Sequence, residues 1–285
     1  MLATHEPCIE QFVDVGGATL RVRTAGEGAA VVLVHGWALD LDLWQGQIDA
    51  LARWYRVIAF DRRGFGRSSG TPGIEHDVGD IERLLDRFGI SQTAVVGMSQ
   101  GARVALRWAM RHPQRAACLV LDGPPPEGLE QAGGMQEIPI EHYRDLVRRE
   151  GIDAFRQLWR QHPFMHLETS SPSAHALLRQ MAARYPARDL EMDERSQLSP
   201  VNECDLQKLK VPTLILNGQL DSAQRRSIAA QLARALPNAR LQIIANAGHL
   251  AALDSPDVYV EVLQEFFLAS ALAGAGHIIG VKDVQ

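Results

Sequence analysis

Residues 97–101 read Gly-Met-Ser-Gln-Gly, the pattern G-x-S-x-G with Ser99 at its centre. Composition alone produces such a match in about one chain in ten of this make-up, so the setting has to carry the argument. The apolar run 93–96 leads directly in, and the helical pattern 102–110 leads directly out. Strand, tight turn and helix together form a nucleophile elbow, in which a strained turn lifts the serine hydroxyl above a sheet. Flanking glycines keep Cβ atoms out of the crowded turn. The helix N-terminus behind Ser99 adds positive potential where negative charge develops. The plainer alternative, a serine N-cap after a glycine turn, accounts for less of this context. A serine hydroxyl is a weak nucleophile at neutral pH. It needs a base beside it and an acid to orient that base.

Those groups have to be positioned by the surrounding elements. The runs 31–34, 57–60, 94–97 and 119–121 are short, apolar and rich in β-branched residues. Such runs suit strands buried on both faces of a parallel sheet. Residues 12–15 and 20–23 alternate apolar and polar around Gly16-Gly17, which predicts an antiparallel hairpin with one solvated face. Ile74, Val78, Ile81, Leu84, Leu85 and Phe88 recur at helical spacing, and Gly89 supplies a stop. The helix 102–110 ends at His112-Pro113. Alternating strands and helices predict a doubly wound α/β sheet, mostly parallel and twisted, with helices on both faces.

The alternation breaks at Gly123-Pro124-Pro125-Pro126. No buried-strand run appears from 127 to 203; helical segments are predicted near 141–149, 152–161 and 174–184. Alternation returns with a strand at 213–217, a helix at 223–236, a strand at 241–245 and a helix at 257–268. The domain reading is a discontinuous core (1–123 and 204–270), a helical cap insertion (124–203) and a tail (271–285) expected to be disordered. A cap there would lie over the carboxyl ends of the strands, where open α/β sheets bind ligands.

Composition narrows the class. The chain has 285 residues, 46% of them hydrophobic, and a formal net charge of −5. That supports a sizeable core and carries no basic footprint for nucleic acid or an anionic membrane. Cys8, Cys118 and Cys204 form neither a disulfide framework nor a C-x-x-C site. The start of the chain lacks a signal-peptide pattern, and no apolar run is long enough to span a bilayer. The expectation is a soluble cytoplasmic protein without metal or cofactor.

The segments His35-Gly36-Trp37, Asp61-Arg62-Arg63-Gly64-Phe65-Gly66-Arg67-Ser68, Gly97–Gly101, Gly218-Gln219-Leu220-Asp221 and Ala247-Gly248-His249 occur in this order. In them the chain, from about residue 12 to 268, resembles the α/β-hydrolase superfamily. The likeness is to the branch of small capped serine hydrolases that includes esterases, enol-lactonases, proline iminopeptidases and C–C bond hydrolases. The fold implied is the α/β-hydrolase fold, in which the catalytic order is Ser, then Asp or Glu, then His. The resemblance makes His249, in a short turn after the last strand, the base. Asp221, in the G-x-x-D segment, becomes the acid. Asp122 is the alternative acid, since some members place it after the earlier strand; it could instead cap a turn. His35 is read as structural or as part of the oxyanion loop. His112 falls at a helix end, and His142, His162, His166 and His175 fall in the insertion. The 61–68 segment lacks the Walker pattern of a phosphate loop and is read as a structural turn.

The oxyanion of a tetrahedral intermediate needs preorganised N–H donors. One is expected from the backbone of Gln100, the residue after the nucleophile. By resemblance the other is the backbone of Trp37, with Gly36 allowing close approach. Trp37, Met98, Trp159, Phe164, Met165 and Leu250 are candidate pocket walls, and the cap residues among them, like Leu167, could equally pack the cap itself. Serine in place of aspartate at the elbow argues against haloalkane dehalogenase or epoxide hydrolase chemistry. The expected partners are a small, largely apolar carboxylic ester or lactone and water. C–C bond hydrolysis or aminopeptidase action with the same triad is the alternative, then cofactor-free perhydrolase chemistry or a non-catalytic binding homologue. An aminopeptidase needs a cap carboxylate for the substrate amine; Glu137, Glu141, Glu150 and Glu168 are available.

Overall fold

A computed structural model describes residues 8–129, 138–191 and 198–270. The chain opens with β1 (Ile9–Asp14) and β2 (Thr19–Ala25), an antiparallel pair turned at Gly16-Gly17. Then come β3 (Ala30–Val34), α1 (Gln45–Leu51), β4 (Arg56–Phe60), α2 (Ile74–Arg87), β5 (Thr93–Met98), α3 (Gln100–Arg111) and β6 (Ala116–Asp122). Helices α4 (Ile140–Glu150), α5 (Ile152–Trp159), α6 (Pro172–Arg184) and α7 (Arg188–Glu191) follow. After α8 (Glu203–Lys208) the alternation returns as β7 (Thr213–Gly218), α9 (Ala223–Ala235), β8 (Ala239–Ile244), α10 (Ala251–Asp254) and α11 (Pro256–Ala269).

The eight strands form one sheet in the order β1-β2-β4-β3-β5-β6-β7-β8. β1–β2 and β2–β4 pair antiparallel, and every other pair is parallel. This is the α/β-hydrolase fold, with a helical insertion between β6 and β7. Because side chains alternate along each strand, the central strands feed two cores. Val32, Val34, Ile58, Val95, Leu119 and Ile215 face α2, α3 and α9. Val31, Leu33, Val57, Val96, Val120 and Leu214 face the other way, toward α1 and α11. The second core runs on into the insertion through Tyr143, Phe155, Trp159 and Phe164. Each such aliphatic side chain, fully buried, stabilises the fold by about 1.5–3 kcal/mol.

Two expectations are refined. The strand expected at 241–245 is β8, at an edge of the sheet, where Leu241 and Ile243 are 38% and 45% exposed. Residues 41–51, given no element from sequence, form a short 3₁₀ turn (Leu41–Trp44) and α1. That turn is buried on every side, so it shows no amphipathic period; its Asp40 and Asp42 are buried and take Arg184 of α6 as an ion partner. The expectation for 271–285 concerns residues outside the described ones. Among the described residues no helix is long and apolar enough to cross a membrane. Cys8, Cys118 and Cys204 are unbridged; Cys118 is buried, which pushes its thiol up to about 12.

Candidate active site

Ser99 occupies the turn between β5 and α3 with φ 52° and ψ −117°, left-handed backbone that a side chain adopts only under constraint. The constraint is packing. A Cβ on Gly97 would come within 2.2 Å of the Gly101 carbonyl oxygen, and one on Gly101 within 2.3 Å of the Val34 carbonyl oxygen. Only glycine at both positions lets β5, the turn and α3 approach this closely. The Ser99 N–H donates to the Asp122 carbonyl at 2.7 Å, which fastens the turn to the neighbouring strand.

His249 lies in the loop after β8 and is buried. Its Nδ1 is 2.9 Å from Asp221 Oδ2, so the ring carries its proton on Nδ1 and leaves the Nε2 lone pair available. Asp221, in the loop after β7, also accepts from Asn217 Nδ2 at 2.8 Å and from the Ser222 N–H at 2.7 Å. Burial raises the Asp221 carboxyl. The hydrogen bond and charge of His249, the Ser222 N–H and Arg225 outweigh that and hold it below the usual carboxylate range. Phe164, from the insertion, stacks on the imidazole with centroids 4.0 Å apart, and the Arg225 guanidinium lies 4.9 Å over its ring.

The alternative acid sits elsewhere. Asp122 Oδ2 accepts from Tyr259 Oη at 3.1 Å, and its Oδ1 has no hydrogen-bond partner among the described residues. Complete burial pushes this carboxyl up to about 8, helped by the charge of Asp221 and opposed by the Tyr259 bond, so it is neutral at pH 7. His35 is buried and also neutral: burial, then the charge of Arg62, lowers it to about 3. Its Nδ1–H donates to the Gly36 carbonyl and its Nε2 accepts from the Arg62 N–H, which ties the loop after β3 to the end of β4.

Ser99, His249, Trp37, Met98, Trp159, Phe164, Met165 and Leu250 line one narrow slot of about 10 Å³, together with Leu39 and Ile138. That is room for about one water molecule. The slot adjoins Ser99 on one side. On another, Ser99, Trp37 and Gln100 border a cavity of about 310 Å³ walled by Arg103, Pro125, Ile140 and Arg225. The Gln100 N–H is in the first turn of α3, where backbone donors have no intrahelical acceptor. Of the cap carboxylates, Glu141 borders the larger cavity and pairs with Arg144, Glu150 is on the surface, and Glu168 is 3.9 Å from His166. Glu137 lies outside the described residues. Among the described residues no group of three or more His, Cys, Asp or Glu could hold a metal ion.

Three features of the site escaped the sequence. The Phe164–His249 stack joins segments with no shared pattern, and the Asn217 bond to Asp221 closes a turn four residues long, a bond that no motif marks. Arg62, placed in a structural turn, donates to Gln100 Oε1 at 2.6 Å while held by Asp77. The buried pairing of Arg62 with Asp77 had a signal, since Asp77 stands on the apolar face of the α2 pattern.

The fold and site place the chain in a known family: it belongs to the alpha/beta hydrolase fold family, whose pattern matches residues 29–256. A pimeloyl-[acyl-carrier protein] methyl ester esterase of Nitrosospira multiformis is 24% identical over 271 residues, covering 88% of this chain and 99% of the relative. The structure is similar to a thermophilic esterase of Thermogutta terrifontis, with TM-score 0.75 and 25% identity over 93% of this chain and 99% of the other. The enol-lactonase of Burkholderia xenovorans has the same fold, with TM-score 0.76 and 24% identity over 90% of this chain and all of the other.

Proposed function

We propose that the protein is a serine hydrolase that cleaves a small, largely apolar carboxylic ester or lactone through Ser99, His249 and Asp221. One observation carries the reading: a serine on a strained turn and a histidine anchored through Nδ1 to a carboxylate line the same slot. In the first half-reaction Ser99 Oγ attacks the carbonyl carbon and its proton passes to His249 Nε2. The resulting imidazolium is stabilised by ionised Asp221. The tetrahedral oxyanion takes hydrogen bonds from the backbone N–H groups of Gln100 and Trp37. Collapse expels the alcohol, which receives the proton from His249 and leaves an acyl group on Ser99. Water, deprotonated by His249, then repeats the sequence and releases the acid.

The acid is Asp221 and not Asp122, because His249 Nδ1 bonds to Asp221, whereas Asp122 Oδ2 is bonded to Tyr259. Residues 124–203 act as a cap that supplies apolar walls at Trp159, Phe164 and Met165. The slot is too narrow for an acyl chain, so the acyl group enters from the larger cavity or as the cap shifts. The esterases among the relatives and the apolar lining support an ester substrate. Fluorophosphonate labelling tests the reading. The wild type should label at Ser99 and cleave short-chain p-nitrophenyl esters, and Ser99→Ala should do neither. An unlabelled, inactive wild type would sink it.

A further inference from the structure

Trp37 stands where the core meets the insertion. Its indole Nε1–H donates to Asp189 Oδ2 at 2.6 Å, and Asp189 Oδ1 accepts from Tyr185 Oη at 2.5 Å. The rings of Tyr143, Phe155, Trp159 and Tyr185 surround the indole, Trp159 edge-on at 4.8 Å. Asp189 and all four rings belong to the insertion, whereas Trp37 belongs to the loop after β3. The next residue, Ala38, has φ 56°, an unfavourable conformation for alanine that persists only where neighbours enforce it.

A second line of contacts runs from the same aspartate to the other backbone donor. Phe65 stacks on Tyr185 with centroids 5.8 Å apart, the Arg62 guanidinium lies 4.7 Å over Phe65, and Arg62 holds the Gln100 side chain. Trp37, Asp189, Phe65, Arg62 and Gln100 all border one cavity of about 170 Å³.

We propose that Asp189 is a positioning residue through which the insertion sets the oxyanion-binding backbone. With the insertion seated, the Asp189 carboxylate fixes the Trp37 indole, and that anchor holds the strained Trp37–Ala38 backbone with its N–H aimed at the reaction centre. When the insertion shifts, the indole loses its acceptor and the loop is free to relax. Oxyanion stabilisation thus depends on closure. The inference rests on the reading of Trp37 and Gln100 as oxyanion donors.

The test uses the full chain, short-chain p-nitrophenyl esters and an alkyl boronic acid, which forms a tetrahedral anionic adduct on a reactive serine. A fully lost oxyanion donor costs about 100- to 1,000-fold in kcat, and a misaimed one should cost less. Asp189→Ala should therefore lower kcat about 10- to 100-fold with KM within about twofold, and weaken boronic acid inhibition by the same factor as kcat. Asp189→Asn, which keeps one acceptor oxygen, should recover part of the loss. Trp37→Phe keeps the ring and removes the donor; it should match Asp189→Ala, and the double variant should be no worse than either single. An Asp189→Ala protein with unchanged kcat and boronic acid affinity, or losses that multiply in the double variant, would overturn the inference. Should Asp189→Ala fail to fold, unchanged kcat in Trp37→Phe overturns it from the core side. A wild type neither active nor labelled at Ser99 removes the hydrolase reading itself, and this inference with it.

Discussion

The sheet and the insertion are held together in different ways. β3, β5 and β7 are buried at every position, and their side chains pack into two continuous cores. The insertion has few buried residues per helix, and Tyr143 is the sole buried side chain of α4. Its Tyr143, Phe155, Trp159 and Tyr185 rings converge on Trp37 of the core, and Phe164 stacks on His249. Among the described residues its ion pairs with the core join Arg184 to Asp40 and Asp42, and Glu127 to Arg103 and Arg107 of α3. The sheet therefore stands on burial spread over many strands, while the insertion docks through a few rings and polar bonds. A fold divided this way can hold Ser99, His249 and Asp221 rigidly on the sheet while its cap moves.

The largest expected effect lies on the rigid side. Asp221→Asn should keep the fold and lower kcat about 10,000-fold, because the amide no longer fixes the Nδ1–H tautomer or stabilises the imidazolium. Steady-state kinetics decides it, and loss below tenfold would move the acid elsewhere. Next, Leu33→Ala in the fully buried β3 should cost about 2–5 kcal/mol of global stability in urea melts, by lost burial and a residual cavity. A cost under about 1 kcal/mol would mean the sheet core is looser than its burial implies.

Asp122 sharpens the comparison through pH. Its carboxyl is raised to about 8 in the fold and titrates near 4 when unfolded. Between those values the folded state holds one more proton than the unfolded, so ionisation of the unfolded chain erodes stability as pH rises from about 4 to 8. The slope is up to about 1.4 kcal/mol per pH unit. Asp122→Asn removes this contribution, and its stability relative to wild type should rise between pH 5 and pH 8. Identical pH dependence in the two proteins would show that Asp122 is ionised in the fold. The smallest effect belongs to the insertion. Phe164→Leu removes the ring stacked on His249 and should lower kcat/KM about tenfold, by about 1.4 kcal/mol, with thermal stability little changed. A large drop in melting temperature would show that the insertion and sheet unfold as one unit.

How much of this was legible in the sequence follows the same division. The runs that became β3 to β7 are compact and β-branched because strands buried on both faces admit little else. The elbow was legible because its G-x-S-x-G stands between a strand run and a helix pattern; glycine at 97 is a steric demand of the turn, while glycine at 101 answers to the Val34 carbonyl of β3. β8 was harder: its apolar residues resemble those of its neighbours, and only its place at the sheet edge exposes Leu241 and Ile243. Of the insertion helices α4, α5 and α6 were expected from the sequence and α7 was not, and nothing in it told which faces they bury or what those faces meet.

By itself, then, the sequence determined the chemistry-bearing residue types and the strands that carry them. Those depend on local sterics and on burial patterns that repeat within a few residues. Tertiary structure alone decided which carboxyl is charged, since the environments of Asp122 and Asp221 are set by Tyr259 and His249, residues distant in the chain. It also decided that Trp37 meets Asp189, 152 positions away. No local pattern encodes such a contact, because it arises only when the insertion packs its rings against the loop after β3.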